Sequence, residues 1–130
     1  MAMNRGVYYD TFEVMSREKR AEYLTKKLRQ TIRHAYLHSP LTRKIFNENK
    51  LKPADIRTIA DLVKLPIKRK VDVIEWQKVT LPFGGLLAIP QRKVERIFVS
   101  PGPIYEPQQI AKIKWFAKPF WAAGFSWAWR

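Results

Sequence analysis

Leu24, Leu28, Ile32, Ala35 and Tyr36 return at steps of three and four residues, while Lys26, Lys27, Arg29 and Arg33 fill positions between them. That spacing places the apolar set on one stripe of an α-helix and the cations on its other faces. Ser16 ahead of Arg17-Glu18 supplies an N-cap followed by an acid in the first turn. Ser39-Pro40 stops the helix, because proline lacks an N–H and pushes its predecessor out of the helical region. The pattern predicts an amphipathic helix over 17–38 that packs its stripe on another element.

Pro40 suits the first position of a second helix over 41–47, with Leu41, Ile45 and Phe46 as its buried side. Asn47 to Lys52 reads as a polar turn and Pro53-Ala54-Asp55-Ile56 as one further helical turn. Thr58 is placed to cap a helix over 58–64, where Ile59, Leu62 and Val63 keep helical spacing until Pro66. A fourth helix over 68–76 directs Val71, Ile74 and Trp76 inward. From Thr80 the texture changes. Leu81-Pro82-Phe83-Gly84-Gly85-Leu86-Leu87 is an apolar, glycine-hinged passage, and Ala88-Ile89-Pro90 leads into a turn at Gln91 to Lys93. Val94 to Ser100 alternates and gathers β-branched and aromatic residues at Ile97-Phe98-Val99, which predicts a strand over 94–100. Apolar residues at Ile110, Ala111, Ile113, Trp115, Phe116, Phe120 and Trp121 then predict a helix over 108–118, with Pro119 setting a kink or stop near Lys118. The inventory is α-rich α+β. A lone strand leaves its backbone groups unpaired, so the segment reads as the front of a larger domain.

Composition narrows the chemistry. Five Trp, five Tyr and seven Phe in 130 residues, with 46% apolar residues, suffice for a core and exclude the profile of a disordered chain. With no cysteine, disulfide staples, thiolate metal sites and cysteine nucleophiles are all excluded. His34 and His38 stand one helical turn apart and could offer two imidazoles to an ion, but no third ligand sits beside them in the sequence. Their other reading is a partly exposed helix face, and no metal is assigned. Residues 1–10 carry no secretory leader pattern and no apolar run approaches the roughly 20 residues that span a bilayer, so the expected compartment is the cytoplasm. The net charge of +14 favours an anionic partner such as nucleic acid, anionic lipid or nucleotide, and equally suits a solvated basic surface.

The candidate chemistry lies in Val99-Ser100-Pro101-Gly102-Pro103-Ile104-Tyr105-Glu106-Pro107. A strand running through a small-residue turn into a helix can aim backbone N–H groups at a phosphate, and Ser100, Gly102, Tyr105 and Glu106 are the candidate residues. The prolines lack N–H groups and no lysine follows as in a Walker-type loop. An ordinary connection stiffened by proline is the competing interpretation.

Several pieces in order resemble the N-terminal region of the phenylacetate-CoA ligase family of adenylate-forming enzymes. They are Tyr8-Tyr9-Asp10, Met15-Ser16-Arg17-Glu18, His34-Ala35-Tyr36 with Ser39-Pro40 and Phe46, Lys52-Pro53-Ala54-Asp55-Ile56-Arg57, Asp61-Leu62-Val63-Lys64-Leu65-Pro66, and Pro82-Phe83-Gly84-Gly85-Leu86-Leu87-Ala88-Ile89-Pro90. The resemblance runs from about Tyr8 to Phe125. It implies a helical N-terminal portion plus the first strand-loop-helix of an incomplete α/β adenylate-forming domain over 1–125, with an unmatched tail at 126–130. In the family the loop after the strand is rich in serine, glycine and threonine and grips ATP phosphates; here Ser100 and Gly102 keep that chemistry, while Pro101, Pro103, Ile104 and Tyr105 depart from it. ATP, magnesium and coenzyme A are implied for full-length members, whose adenine pocket, magnesium carboxylate, aryl cavity and catalytic lysine match no residue of this chain.

The resemblance therefore implies a fragment or remnant of a carboxylate-CoA ligase, inactive alone and partnered by the missing remainder or by itself. Two alternatives stand beside it. One is an accessory piece of a split ligase. The other is a small basic module for nucleic acid or anionic lipid, which rests on charge alone, shows no nucleic-acid-binding motif, and explains the apolar stripe less well than packing does.

Overall fold

The computed structural model describes residues 9–109 and 117–125. Ser16 Oγ accepts the Lys19 N–H at 3.3 Å and starts α1, Arg17–His38. Ser39 then serves two helices at once: its N–H donates to Ala35 O at 2.8 Å and closes α1, and its Oγ accepts the Thr42 N–H at 3.2 Å and opens α2, Pro40–Glu48. The same Oγ donates to Gly85 O at 3.0 Å, a carbonyl that also accepts the Leu41 N–H at 3.0 Å. Ser39 is only 1% exposed, so these bonds satisfy a hydroxyl that would be costly to bury unpaired. They also fasten the 81–85 turn onto the α1–α2 corner.

The expected helices 17–38 and 41–47 match α1 and α2 to within a residue. The expected helix 58–64 is instead a 3₁₀ helix, Ile59–Lys64, and a second 3₁₀ turn spans Pro53–Asp55. The helix expected at 68–76 is displaced to α3, Lys70–Val79. One device starts all three elements. Asp55, Asp61 and Asp72 each reach back three residues to accept a backbone N–H, from Lys52 at 2.7 Å, Thr58 at 2.8 Å and Arg69 at 2.8 Å. Each carboxylate satisfies a donor that the helix cannot, and its charge suits the positive N-terminal end.

Leu41, Ile45, Phe46, Ile56, Phe83 and Ile104 are buried, with Ile56 and Phe46 the most enclosed. Phe46 at 2% exposure contributes about 2 kcal/mol by area removed from water. Elsewhere the expected burial differs. No residue of α1 is buried, and Leu24 is exposed, so the predicted stripe is only partly covered. In α3 Val71 is 61% exposed, and the buried residue is Gln77 rather than Ile74 or Trp76. Ile59, Leu62 and Val63 are all exposed.

After a 3₁₀ turn at Gln91–Lys93 the chain enters β1, Arg96–Ser100, which begins two residues later than expected. The largest departure follows. Ile104–Gln108, expected to be loop and the start of a helix, is a second strand, β2, paired antiparallel with β1 in a register that sets Ser100 opposite Ile104 and Arg96 opposite Gln108. Pro101, Gly102 and Pro103 form the turn of a hairpin. Of the expected helix 108–118, Gln108 belongs to β2 and 110–116 lie outside the described residues, as do Tyr8 and the tail 126–130. A short helix, α4, Ala117–Ala122, contains Pro119.

Candidate functional site

The hairpin is held to α3 through one side chain. Gln77 is 4% exposed; its Oε1 accepts the Tyr105 N–H at 2.9 Å and its Nε2 donates to Tyr105 O at 2.8 Å. A primary amide mimics one rung of a β-ladder, so Gln77 satisfies the outer edge of β2 at this residue as a third strand would. The turn is fixed beside it. A Cβ on Gly102 would stand 3.1 Å from Ile74 Cδ1 and from Ile104 Cγ1, so a larger residue there would have to displace one of these side chains. Gly84 is more constrained: its φ is +63° and a Cβ would meet the Trp76 carbonyl carbon at 2.9 Å.

Beneath the hairpin is an open cavity of 560 Å³, walled by Val73 and Gln77 of α3, by Phe83 and Leu86 to Ile89, and by β2 from Ile104 onward. Of the four candidate residues, Tyr105 and Glu106 line it, whereas Ser100 and Gly102 sit at the turn and do not. Ser100 Oγ is buried and, among the described residues, has no hydrogen-bond partner. Glu106 is exposed and opposite Phe98. The Tyr105 N–H, the most obvious phosphate donor past the turn, is taken by Gln77. What remains is the Gly102 N–H between two prolines, together with the Ser100 hydroxyl. These donors are too few to hold a triphosphate, and the hairpin alone does not fit ATP.

β1 carries an unusual surface. Ile97 and Val99 point to one face of the strand and Phe98 to the other, yet all three are about half exposed, at 52%, 60% and 47%. Among the described residues β1 has one neighbour, β2, and its other edge is unpaired.

Elsewhere, Lys118 of α4 reaches the N-terminal segment, bonding Asp10 Oδ2 at 2.8 Å and lying 5.8 Å from the ring centres of both Tyr9 and Phe12. Its hydrogen bond holds the Asp10 carboxyl below the usual range, and the same bond raises the Lys118 ammonium. Asp61 is held far lower, first by Lys64 at 2.6 Å and then by the N–H groups of Thr58 and Arg57. Burial pushes the Lys68 ammonium down. The His34 and His38 rings lie 4.6 Å apart on α1, and among the described residues no group of three His, Cys, Asp or Glu could hold a metal. No helix of the described residues is long and apolar enough to cross a membrane.

No protein-family model matches the chain. The phenylacetate-coenzyme A ligase of Aromatoleum evansii is 32% identical over 101 residues, which are 78% of this chain and 22% of that protein. The Thermus thermophilus enzyme of the same name is 27% identical over 108 residues, 83% of this chain and 23% of its own length. In solved structures the same fold occurs in 2-hydroxyisobutyryl-CoA ligase. One crystal structure, in the postadenylation state with R3-HIB-AMP, superposes over 96% of this chain and 28% of its own, with a TM-score of 0.86 and 21% identity. Another, with 2-HIB-AMP, gives a TM-score of 0.78 over 85% of this chain and 25% of its own, at 22% identity. The chain is thus a homologue of the N-terminal part of the phenylacetate-coenzyme A ligases and spans less than a quarter of the length of these curated relatives.

Proposed function

We propose that this chain supplies the helical front and first hairpin of an ATP-dependent carboxylate-CoA ligase, that 1–125 form the ligase-like portion, and that the chain makes no acyl-CoA alone. The observation that carries this is the surface of β1. A strand with Ile97, Phe98 and Val99 exposed on both faces is patterned for the interior of an α/β sheet covered by helices on each side. The covering elements are what the remaining three quarters of a ligase provides. In the assembled enzyme Ser100, Gly102, Tyr105 and Glu106 form the segment facing the ATP phosphates, with further donors arriving from the remainder. A buried Ser100 hydroxyl with no partner among the described residues suits such a junction. Catalysis depends on assembling every group in one site, so an isolated hairpin contributes little to lowering the barrier.

The test is an assay of the purified chain with ATP, magnesium, coenzyme A and phenylacetate, the acid named for the relatives. No thioester above the buffer background is expected. Turnover that Gly102→Val abolishes would overturn the proposal.

A further inference from the structure

A second cavity, of 680 Å³, lies between α1 and the Pro53–Asp55 turn and shares no lining residue with the hairpin cavity. Arg29, Arg33 and Arg57 surround it, over an apolar floor that includes Tyr36, Pro53 and the fully buried Ile56. Two of the guanidiniums are anchored by their inner nitrogen. Arg29 Nε donates to Arg57 O at 2.9 Å, and Arg57 Nε donates to Ala54 O at 3.0 Å. Neither Nη pair bonds any described residue, and the guanidinium of Arg33, one turn along α1 from Arg29, makes no hydrogen bond or ion pair with one. The acids nearest Arg57 in sequence are committed elsewhere: Asp55 caps its own turn through Lys52, and Asp61 holds Thr58, Arg57 N–H and Lys64.

Three arginines gathered without a carboxylate, two of them held with their outer forks uncommitted, form a preorganised anion receptor. A planar fork matches phosphate oxygens two at a time, which a lysine cannot do. The floor adds apolar contact, and the volume falls within the range of small-molecule sites. We infer that this groove binds a phosphate-bearing small molecule with an apolar or aromatic body, independently of the hairpin.

Phenyl phosphate and inorganic phosphate are the probes, titrated into the full chain by calorimetry at low salt. Saturable binding is expected, tighter for phenyl phosphate. Arg33→Gln, which removes no structural bond, and Arg57→Lys, which keeps the charge and loses the fork, should each weaken it roughly tenfold. Arg92→Gln removes the same charge from the separate Gln91–Lys93 turn and should leave the affinity within twofold of wild type, about the scatter of such a titration. Ser100→Ala should also leave it unchanged. The inference is overturned by absence of saturable binding, by equal losses in Arg92→Gln and Arg33→Gln, or by binding that Ser100→Ala weakens and Arg33→Gln does not.

Discussion

Replacing Gln77 by leucine keeps the side chain's approximate volume and removes both bonds to Tyr105, at 2.8 and 2.9 Å. The apolar neighbours Val73, Phe83 and Ile104 can still pack on the new side chain, so the main effect falls on the hydrogen bonds. The Tyr105 N–H and C=O then lose their partner beneath a half-buried residue. An unsatisfied buried backbone group costs about 1–3 kcal/mol, and partial access to water at Tyr105 holds the pair to about 2–4 kcal/mol. Because β2 has no other neighbour than β1 among the described residues, the loss should appear as local opening of the hairpin. Amide hydrogen exchange reads it directly. The Tyr105 amide should be protected in the wild type, and its protection should fall roughly 30- to 700-fold in Gln77→Leu, the equivalent of that free energy. Amides in α2, which packs on α1, should change little. Unchanged protection at Tyr105, or an equal loss throughout the chain, would refute the role assigned to Gln77.

Gly84→Ala should destabilise by about 2 kcal/mol or more in chemical denaturation, since it combines a left-handed backbone with a Cβ 2.9 Å from the Trp76 carbonyl carbon; a loss below about 0.5 kcal/mol would contradict the observed close approach. Asp61 has its folded-state pKa depressed, so its stabilising contribution is present above the ordinary carboxyl pKa near 4 and is lost as pH falls below it. Thermal unfolding followed from about pH 5 down to about pH 2 should show this acid loss, and Asp61→Asn should flatten it. Val63, Ile67, Val79 and Leu81 are 75–89% exposed, the outer edge of β1 is unpaired among the described residues, and the net charge is +14, so self-association and apolar dye binding should rise as salt screens repulsion. A dye-silent monomer at about 1 M salt would show that these residues need no cover.

The parts of the fold legible from sequence are those with local causes. Ser16, Ser39 and Pro40 fix both ends of α1 and the start of α2 within a few residues of themselves, and Leu41, Ile45 and Phe46 at helical spacing become the buried side of α2. Ile59 to Lys64 is the intermediate case, because an i, i+3 apolar spacing serves α and 3₁₀ helices alike and only the short run between Thr58 and Pro66 favours the tighter form. The hairpin is not legible in the sequence, because Pro101 and Pro103 suggest a stiff connection and the apolar residues past Gln108 suggest a helix. The available signal is a three-residue, glycine-centred turn joining two short runs rich in β-branched and aromatic residues, Ile97-Phe98-Val99 and Ile104-Tyr105. Gln77 was not legible at all. Its meaning depends on Tyr105, 28 residues away, and no periodicity distinguishes a clasping amide from a solvated one. The three arginines are equally scattered along the chain and meet only through the fold.

The central claim is that this chain is built to complete a ligase, and complementation tests it most directly. A phenylacetate-coenzyme A ligase lacking the roughly 100 N-terminal residues matched here would be mixed with the purified chain and assayed for ATP- and coenzyme A-dependent thioester formation. The account predicts that neither piece is active alone, that the two associate, and that the mixture makes thioester while a Phe98→Asp, Val99→Asp chain does not. Thioester from the chain alone, or a folded complementary piece that the chain neither binds nor activates, would contradict it.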